Sequence, residues 1–263
     1  MEIETADRIA RIAADLFRQH QAREPYAWPE GREAPATLEE AYEVQFELQE
    51  QFIEAGLGGL AGHKIALTSK AMQAFCGVDH PIAGGIFAST IRSGPCEVAA
   101  ADFQRLGIEF ELAFEIGRAA RGGPYDEASV RDLVSGCRPA FELIEDRRAD
   151  YDALGALGLA ADNAWCGGVV LGSPIEDWRS LDLDALPVTL FYNDETPDKA
   201  VTGAAEPWKS LAWVANHLIG FGRALEPGQI VITGSALKTR FPEPGDAIRY
   251  EIDGIAEVAV DIR

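Results

Sequence analysis

In residues 107–116, Gly-Ile-Glu-Phe-Glu-Leu-Ala-Phe-Glu-Ile, every even position is large and apolar: Ile108, Phe110, Leu112, Phe114 and Ile116. Period two over such a length is the signature of a strand with one buried face, and it commits the chain to a sheet with a core packed against it. The same alternation puts Glu109 and Glu111 together on the opposite face, about 7 Å apart along the strand. Two carboxylates so placed repel each other, and nothing about folding requires them. They are either the wetted side of an exposed strand or oxygen ligands for a hard divalent cation, whose charge reverses the repulsion.

A second acidic position bears on that choice. In Arg138-Pro-Ala-Phe-Glu-Leu-Ile-Glu-Asp146, Glu142 lies between Phe141 and the apolar pair Leu143 and Ile144. A glutamate inside a short apolar strand is seldom buried unless it is paired or bound to metal. Glu145 and Asp146 read as ordinary strand-end charges, Asp146 the more interesting of the two because Arg147 follows it. Three carboxylates on strands suit Mg²⁺ or Mn²⁺ better than zinc, and His20, His63, His80 and His217 have no zinc-ligand spacing. Three carboxylates around a dication leave 3 × (−1) + 2 = −1, which holds an anionic substrate poorly without a further cation. Lys64, in the strand-like run at 62–69 (Gly-His-Lys-Ile-Ala-Leu-Thr-Ser), can provide it and can also move protons.

Two helices open the chain. Ile9, Ile12, Ala13, Leu16 and Phe17 form one apolar face, and a capping box at Thr37 and Glu40 starts a second helix with the stripe Ala41, Val44, Leu48, Phe52 and Ala55, stopped at Gly56. Pro25, Pro29, Gly31 and Pro35 mark an irregular connection between them. From about residue 62 short strands alternate with Gly- and Pro-rich turns, among them 188–192, 229–233, 247–252 and 256–262. Asp253-Gly254 reads as a hairpin turn, because both residues tolerate positive φ. One further helix has Pro207 in its first turn and Trp208, Leu211, Ala212, Ala215, Leu218 and Ile219 as its buried stripe. The expected organisation is a helical N-terminal segment, 1–60, on a β-rich body, 61–263, as one folding unit.

Composition closes off other functions. Lys plus Arg is 23 and Asp plus Glu is 43, a formal charge of −20, which repels nucleic acid and anionic membrane. There is no apolar run of spanning length and no signal core, and the four cysteines, Cys76, Cys96, Cys137 and Cys166, form no C-x-x-C pair. The expectation is reduced thiols and a cytoplasmic protein. Gly56-Leu-Gly-Gly-Leu-Ala61 matches a dinucleotide fingerprint but follows a helix, not a strand. Gly234-Ser235-Ala236 lacks the flanking pattern of a nucleophile elbow.

Taken in order, the run at 62–69, Gly77-Val-Asp-His-Pro81, Glu109-Phe-Glu-Leu-Ala-Phe, Pro139-Ala-Phe-Glu-Leu-Ile, Asp162-Asn-Ala and Ile232-Thr-Gly-Ser235 resemble the 2-keto-4-pentenoate hydratase family. That family includes 4-oxalocrotonate decarboxylases and belongs to the fumarylacetoacetate hydrolase superfamily. The resemblance implies an α+β fold, a mixed β-sandwich roll with a helical N-terminal portion. It also implies a metal held by Glu109, Glu111 and Glu142, an active-site lysine at Lys64 and an acidic residue near substrate at Asp79. Gly234 and Ser235 match the segment that approaches the substrate carboxylate. Homo-oligomers are implied by resemblance as well. The chain departs from the family pattern at His63, commonly tyrosine, at Pro81-Ile-Ala-Gly84, and at Trp165, commonly serine, which alters the wall facing the substrate tail.

The expected activity is a Mg²⁺- or Mn²⁺-dependent lyase that hydrates a small 2-hydroxy-2,4-dienoate, the tautomer of a 2-keto acid, to a 4-hydroxy-2-keto acid. The alternative is decarboxylation of a 4-oxalocrotonate-like diacid, for which Arg138 or Arg147 would supply a second cationic contact. Acylpyruvate hydrolysis, with His63 or His80 activating water, is weaker. Non-catalytic cation binding is weaker still.

Overall fold

The computed structural model describes residues 2–28, 34–153 and 155–263 (of residues 2 and 3, the backbone only), so Pro29 and Gly31 of the inter-helix connection lie outside the described residues. The chain runs α1 (Glu2–Gln21), α2 (Leu38–Phe52), β1 (Leu60–Ala66), α3 (Lys70–Phe75), β2 (Ile82–Phe87), β3 (Ile91–Ser93), β4 (Cys96–Val98), β5 (Leu106–Ile116) and β6 (Val134–Glu145). It continues through α4 (Ala156–Ala161), β7 (Cys166–Leu171), β8 (Pro187–Tyr192), β9 (Asp198–Val201), α5 (Pro207–Gly220), β10 (Ile230–Ile232), β11 (Ala247–Ile252) and β12 (Ala256–Ile262). A seven-stranded sheet has the order β2-β1-β10-β5-β6-β7-β3, and a five-stranded sheet the order β4-β12-β11-β8-β9.

The even residues of β5 do what their period requires. Ile108, Phe110, Leu112, Phe114 and Ile116 are all buried in one core with Tyr250, Ile252 and Val258 of the smaller sheet and with Trp208 and Leu211 of α5. Phe110 meets Phe141 edge to face at 5.8 Å, and Phe114 stacks on Trp208 at 4.5 Å. Each such aromatic pair adds about 1 kcal/mol beyond its area burial. The long helix, the two C-terminal strands and the strand at 188–192 lie where the pattern of residues placed them. The turn between β11 and β12 spans the three residues those strand bounds leave, Ile252 pairs with Ala256, and Gly254 in it is left-handed (φ 70°).

The N-terminal helices build a second core. Leu16, Val44 and Leu48 are buried with Leu159, Ala160 and Trp165. Thr37 caps α2 as expected, its hydroxyl accepting the Glu40 N–H at 3.3 Å. Glu40 does not return the bond to Thr37; it accepts from the Ala36 N–H and from Arg8. Asp146 is likewise no solvated strand end: it is fully buried, and its carboxylate accepts from Arg105 and from the Tyr151 hydroxyl. All four cysteines are free.

A histidine group lies behind β1. His63 is buried, and His217 stacks on Trp213 at 4.8 Å and contacts Tyr42 at 4.3 Å. Burial, with neighbouring positive charge, lowers both pKa values to about 4. Below about pH 6.5 the unfolded chain takes up protons that the folded one refuses, so stability falls as pH drops from 6.5 towards 4. Denaturant titration of His217→Phe at pH 7.5 and pH 5 should therefore show an acid-induced loss smaller than that of the parent chain by about 1–2 kcal/mol. Equal losses would refute this assignment.

Candidate active site

The face of β5 turned away from the main core carries the acids. Glu109 is in direct register with Glu142 on β6, and Glu111 follows two residues along, opposite Ala140. One carboxylate oxygen from each of Glu109, Glu111 and Glu142 lies within 4.8 Å of the others. Glu142 is 0% exposed and Glu111 1%. At an effective dielectric of about 20, unit charges this close repel by roughly 3 kcal/mol per pair. Burial and that repulsion push Glu111 well above the ordinary carboxylate range, and burial above all lifts Glu142 to about 7.

Few protein donors answer these charges. Glu109 accepts from the Thr239 hydroxyl, and Glu111 Oε2 accepts the Gly234 N–H at 2.6 Å. That contact depends on a glycine: Gly234 has φ 101°, and a Cβ there would meet Thr68 at 2.7 Å. Among the described residues, Glu111 Oε1 and Glu142 Oε2 are buried without a hydrogen-bond donor, and Glu142 Oε1 is answered by the Lys64 ammonium, 2.8 Å away. Buried carboxylate oxygens left this way are costly unless a cation takes them. An all-oxygen set of three carboxylates fits a hard dication with room for further oxygen ligands.

Lys64 on β1 adds the fourth charge. It is 3% exposed; its Nζ forms an ion pair with Glu142 Oε1 at 2.8 Å and donates to the Ala164 carbonyl at 3.0 Å. Burial works against the ammonium, but Glu142 and Glu109 outweigh it and hold the Lys64 pKa above the ordinary lysine range. At neutral pH Lys64 is therefore a positive hydrogen-bond donor rather than a base.

Ala164 belongs to a left-handed turn. Asn163, Ala164 and Trp165 have φ of 52°, 48° and 55°, a conformation that costs an ordinary L-residue about 1–2 kcal/mol. The turn sits so close to β2 that a Cβ on Gly84 would be 2.4 Å from the Asn163 carbonyl oxygen. Trp165 then forms part of the wall of a cavity of about 770 Å³ that opens over Lys64 and Glu109. The rest of that wall is largely apolar and aromatic: Ile144, Leu159, Tyr151, Leu237 and Phe241, with Lys199 and Lys238 also lining it.

The structure brings together Lys64, Glu109, Glu111 and Glu142, and puts Trp165, Gly234 and Ser235 in the cavity wall. It leaves other candidates elsewhere. Asp79 is exposed between α3 and β2, outside the lining, its backbone carbonyl accepting from Lys70. The Ser235 hydroxyl is already engaged, accepting the Phe110 N–H at 2.9 Å and donating to the Leu237 carbonyl at 2.8 Å. Arg138 pairs with Glu115 and Arg147 with the buried Asp162, so neither reaches the cavity as a second cationic contact. His63 and His80 do not line it either. Lys199, Lys238 and Tyr151 carried no local motif and were not foreseen; only the pairing of distant segments brings them here.

Three carboxylates, Glu111 and Glu142 buried and Glu109 half-buried, lie beside a lysine at the end of a largely apolar cavity, an all-oxygen arrangement able to hold a divalent cation. The chain belongs to the fumarylacetoacetate hydrolase family: the family model described as "Fumarylacetoacetate (FAA) hydrolase C-terminal" matches residues 67–263. Among curated relatives, it is 27% identical over 260 residues to a 2-keto-4-pentenoate hydratase of Paraburkholderia xenovorans (strain LB400), covering 98% of this chain and 96% of that one. It is 33% identical over 229 residues to the TodF product hydratase of Pseudomonas putida, covering 84% and 82%. In fold it is similar to the 4-oxalocrotonate decarboxylase of Pseudomonas putida G7 complexed with magnesium and adipate, with a TM-score of 0.88, 23% identity and 98% of each chain covered. No helix among the described residues is long and apolar enough to cross a membrane.

Proposed function

We propose that this protein is a divalent-cation-dependent hydratase of a 2-hydroxy-2,4-dienoate. The observation that carries the reading is the cluster of Glu109, Glu111 and Glu142, with Glu111 Oε1 and Glu142 Oε2 buried and without a donor among the described residues, beside the Lys64 ammonium. The hydratases among its relatives support it. Glu109, Glu111 and Glu142 would hold the cation, Mg²⁺ or Mn²⁺, which when bound supplies Lewis-acid polarisation of a 2-oxo acid head.

The chain's own groups account for the rest. Of the three N–H bonds of Lys64, one goes to Ala164 and one faces Glu142; the third is left for the substrate head, where it balances negative charge gathering on the 2-oxygen. Ile144, Leu159 and Trp165 in the cavity wall give the diene an apolar surface to pack on. In the net reaction the enol proton moves from the 2-oxygen to C5, and one water gives its hydroxyl to C4 and its proton to C3. Asp79 could serve in proton transfer only if the segment carrying it approached the cavity. Self-association into a homo-oligomer is part of the same proposal.

A second reading, decarboxylation of a 4-oxalocrotonate-like diacid, is favoured by Lys199 and Lys238, which line the cavity where a second carboxylate would need a cation. Incubation with 2-hydroxypenta-2,4-dienoate and with 4-oxalocrotonate, following loss of diene absorbance and trapping CO₂, separates the two. Hydration predicts a 4-hydroxy-2-keto acid and no CO₂. Calorimetry with oxalate should show binding only when Mg²⁺ is present; binding that ignores the metal, with neither substrate consumed, would sink both readings.

A further inference from the structure

The turn at 162–165 is held from both N-terminal helices. Asp162, buried at its base, pairs through Oδ2 with Arg147 Nη2 at 2.6 Å and through Oδ1 with His20 Nε2 of α1 at 2.7 Å. Asn163 copies a strand edge: its side chain accepts the Gly85 N–H at 2.7 Å, donates to the Gly85 carbonyl at 2.9 Å, and accepts from Gln49 of α2 at 2.9 Å. Three consecutive side-chain-bearing residues stay left-handed only where their surroundings over-determine them, and strain kept this way is a reason to look for a function. What the turn delivers is the Ala164 carbonyl on Lys64 and the Trp165 ring in the cavity wall.

From this we infer that Asp162, clasped by His20 and Arg147, is a positioning residue: it makes the N-terminal helices part of the active site by fixing the turn that aims Lys64 and seats Trp165. The inference rests on the role proposed above for Lys64. His20 is the place to test it, because its side chain is partly exposed and its replacement leaves the buried Arg147–Asp162 pair intact.

In His20→Leu the donor to Asp162 is lost. The enzyme should keep its Mn²⁺ affinity and its KM within twofold, while kcat falls about tenfold. The Trp165 contribution to fluorescence, taken as the difference from Trp165→Phe, should move to the red as the ring loosens. His20→Gln, which returns an N–H near the position of Nε2, should restore kcat to within twofold and the emission with it. Asp162→Asn should lower kcat further, about a hundredfold, if it folds.

Parental kcat and Trp165 emission in His20→Leu would overturn the inference. So would a loss of activity that His20→Gln does not restore, since that marks a merely structural helix contact. A parent enzyme that turns over no dienoate would remove the hydratase reading, whereas the inference would still be decided by the Trp165 emission of the His20 variants.

Discussion

Glu142→Ala should abolish both divalent-metal binding and turnover. Glu142 is fully buried, it faces Glu109 across the β5–β6 ladder, and its Oε2 has no hydrogen-bond donor among the described residues. Its removal takes one of three charged ligands and also leaves Lys64 buried without its nearest counter-ion, 2.8 Å away. Lewis-acid help of about 5 kcal/mol corresponds to roughly 10⁴-fold in rate at 1.4 kcal/mol per decade. The expected result is a loss of at least that size in kcat/KM, with no Mn²⁺ binding by calorimetry at concentrations that saturate the parent. Glu142→Gln, which preserves volume, guards against misfolding and should behave alike. Full activity of either variant in chelator-treated buffer would remove the proposed chemistry.

Lys64→Met should separate the two halves of the site. Three glutamates, one lysine and a dication sum to 3 × (−1) + 1 + 2 = 0; without the lysine the sum is −1. A neutral site accepts an anionic 2-oxo acid, whereas a negative one repels it, by several kcal/mol at 4–5 Å in a low-dielectric pocket. Metal binding should be retained or tightened, because a positive neighbour has gone. Oxalate affinity in the presence of Mg²⁺ should fall at least tenfold, and kcat about 10³-fold. Methionine fills the space of the lysine stem, so the strand should not collapse. Parental turnover in a folded, metal-binding Lys64→Met would leave Lys64 as no more than a counter-ion for Glu142.

Much of the site was legible because strand periodicity is a local property. Alternation in β5 placed Glu109 and Glu111 on one face, and the apolar setting of Glu142 marked it as a charge in need of a partner. The Thr37 cap and the stripe of α5 were legible for the same reason, since neighbours within four residues decide them. Asp146 reads as a strand-end charge in the sequence because its partners, Arg105 and Tyr151, come together only through the β5–β6 pairing and the following turn. Asp253-Gly254, by contrast, marks the reversal for a local reason, and the strands on either side end where the residue pattern places them, Ile252 pairing with Ala256.

Alone, the order of residues determined which segments form strands and helices and which carboxylates share a face, because backbone sterics and side-chain alternation act between near neighbours. Only the tertiary structure decided that Lys64 meets Glu142, that a strained turn without glycine aims it, and that Lys199 and Lys238 rather than Arg138 or Arg147 line the cavity. The two contacts to Lys64 join residues 142 − 64 = 78 and 164 − 64 = 100 positions apart. Which partner a buried charge finds depends on sheet order and register, and these are set by how the whole core packs.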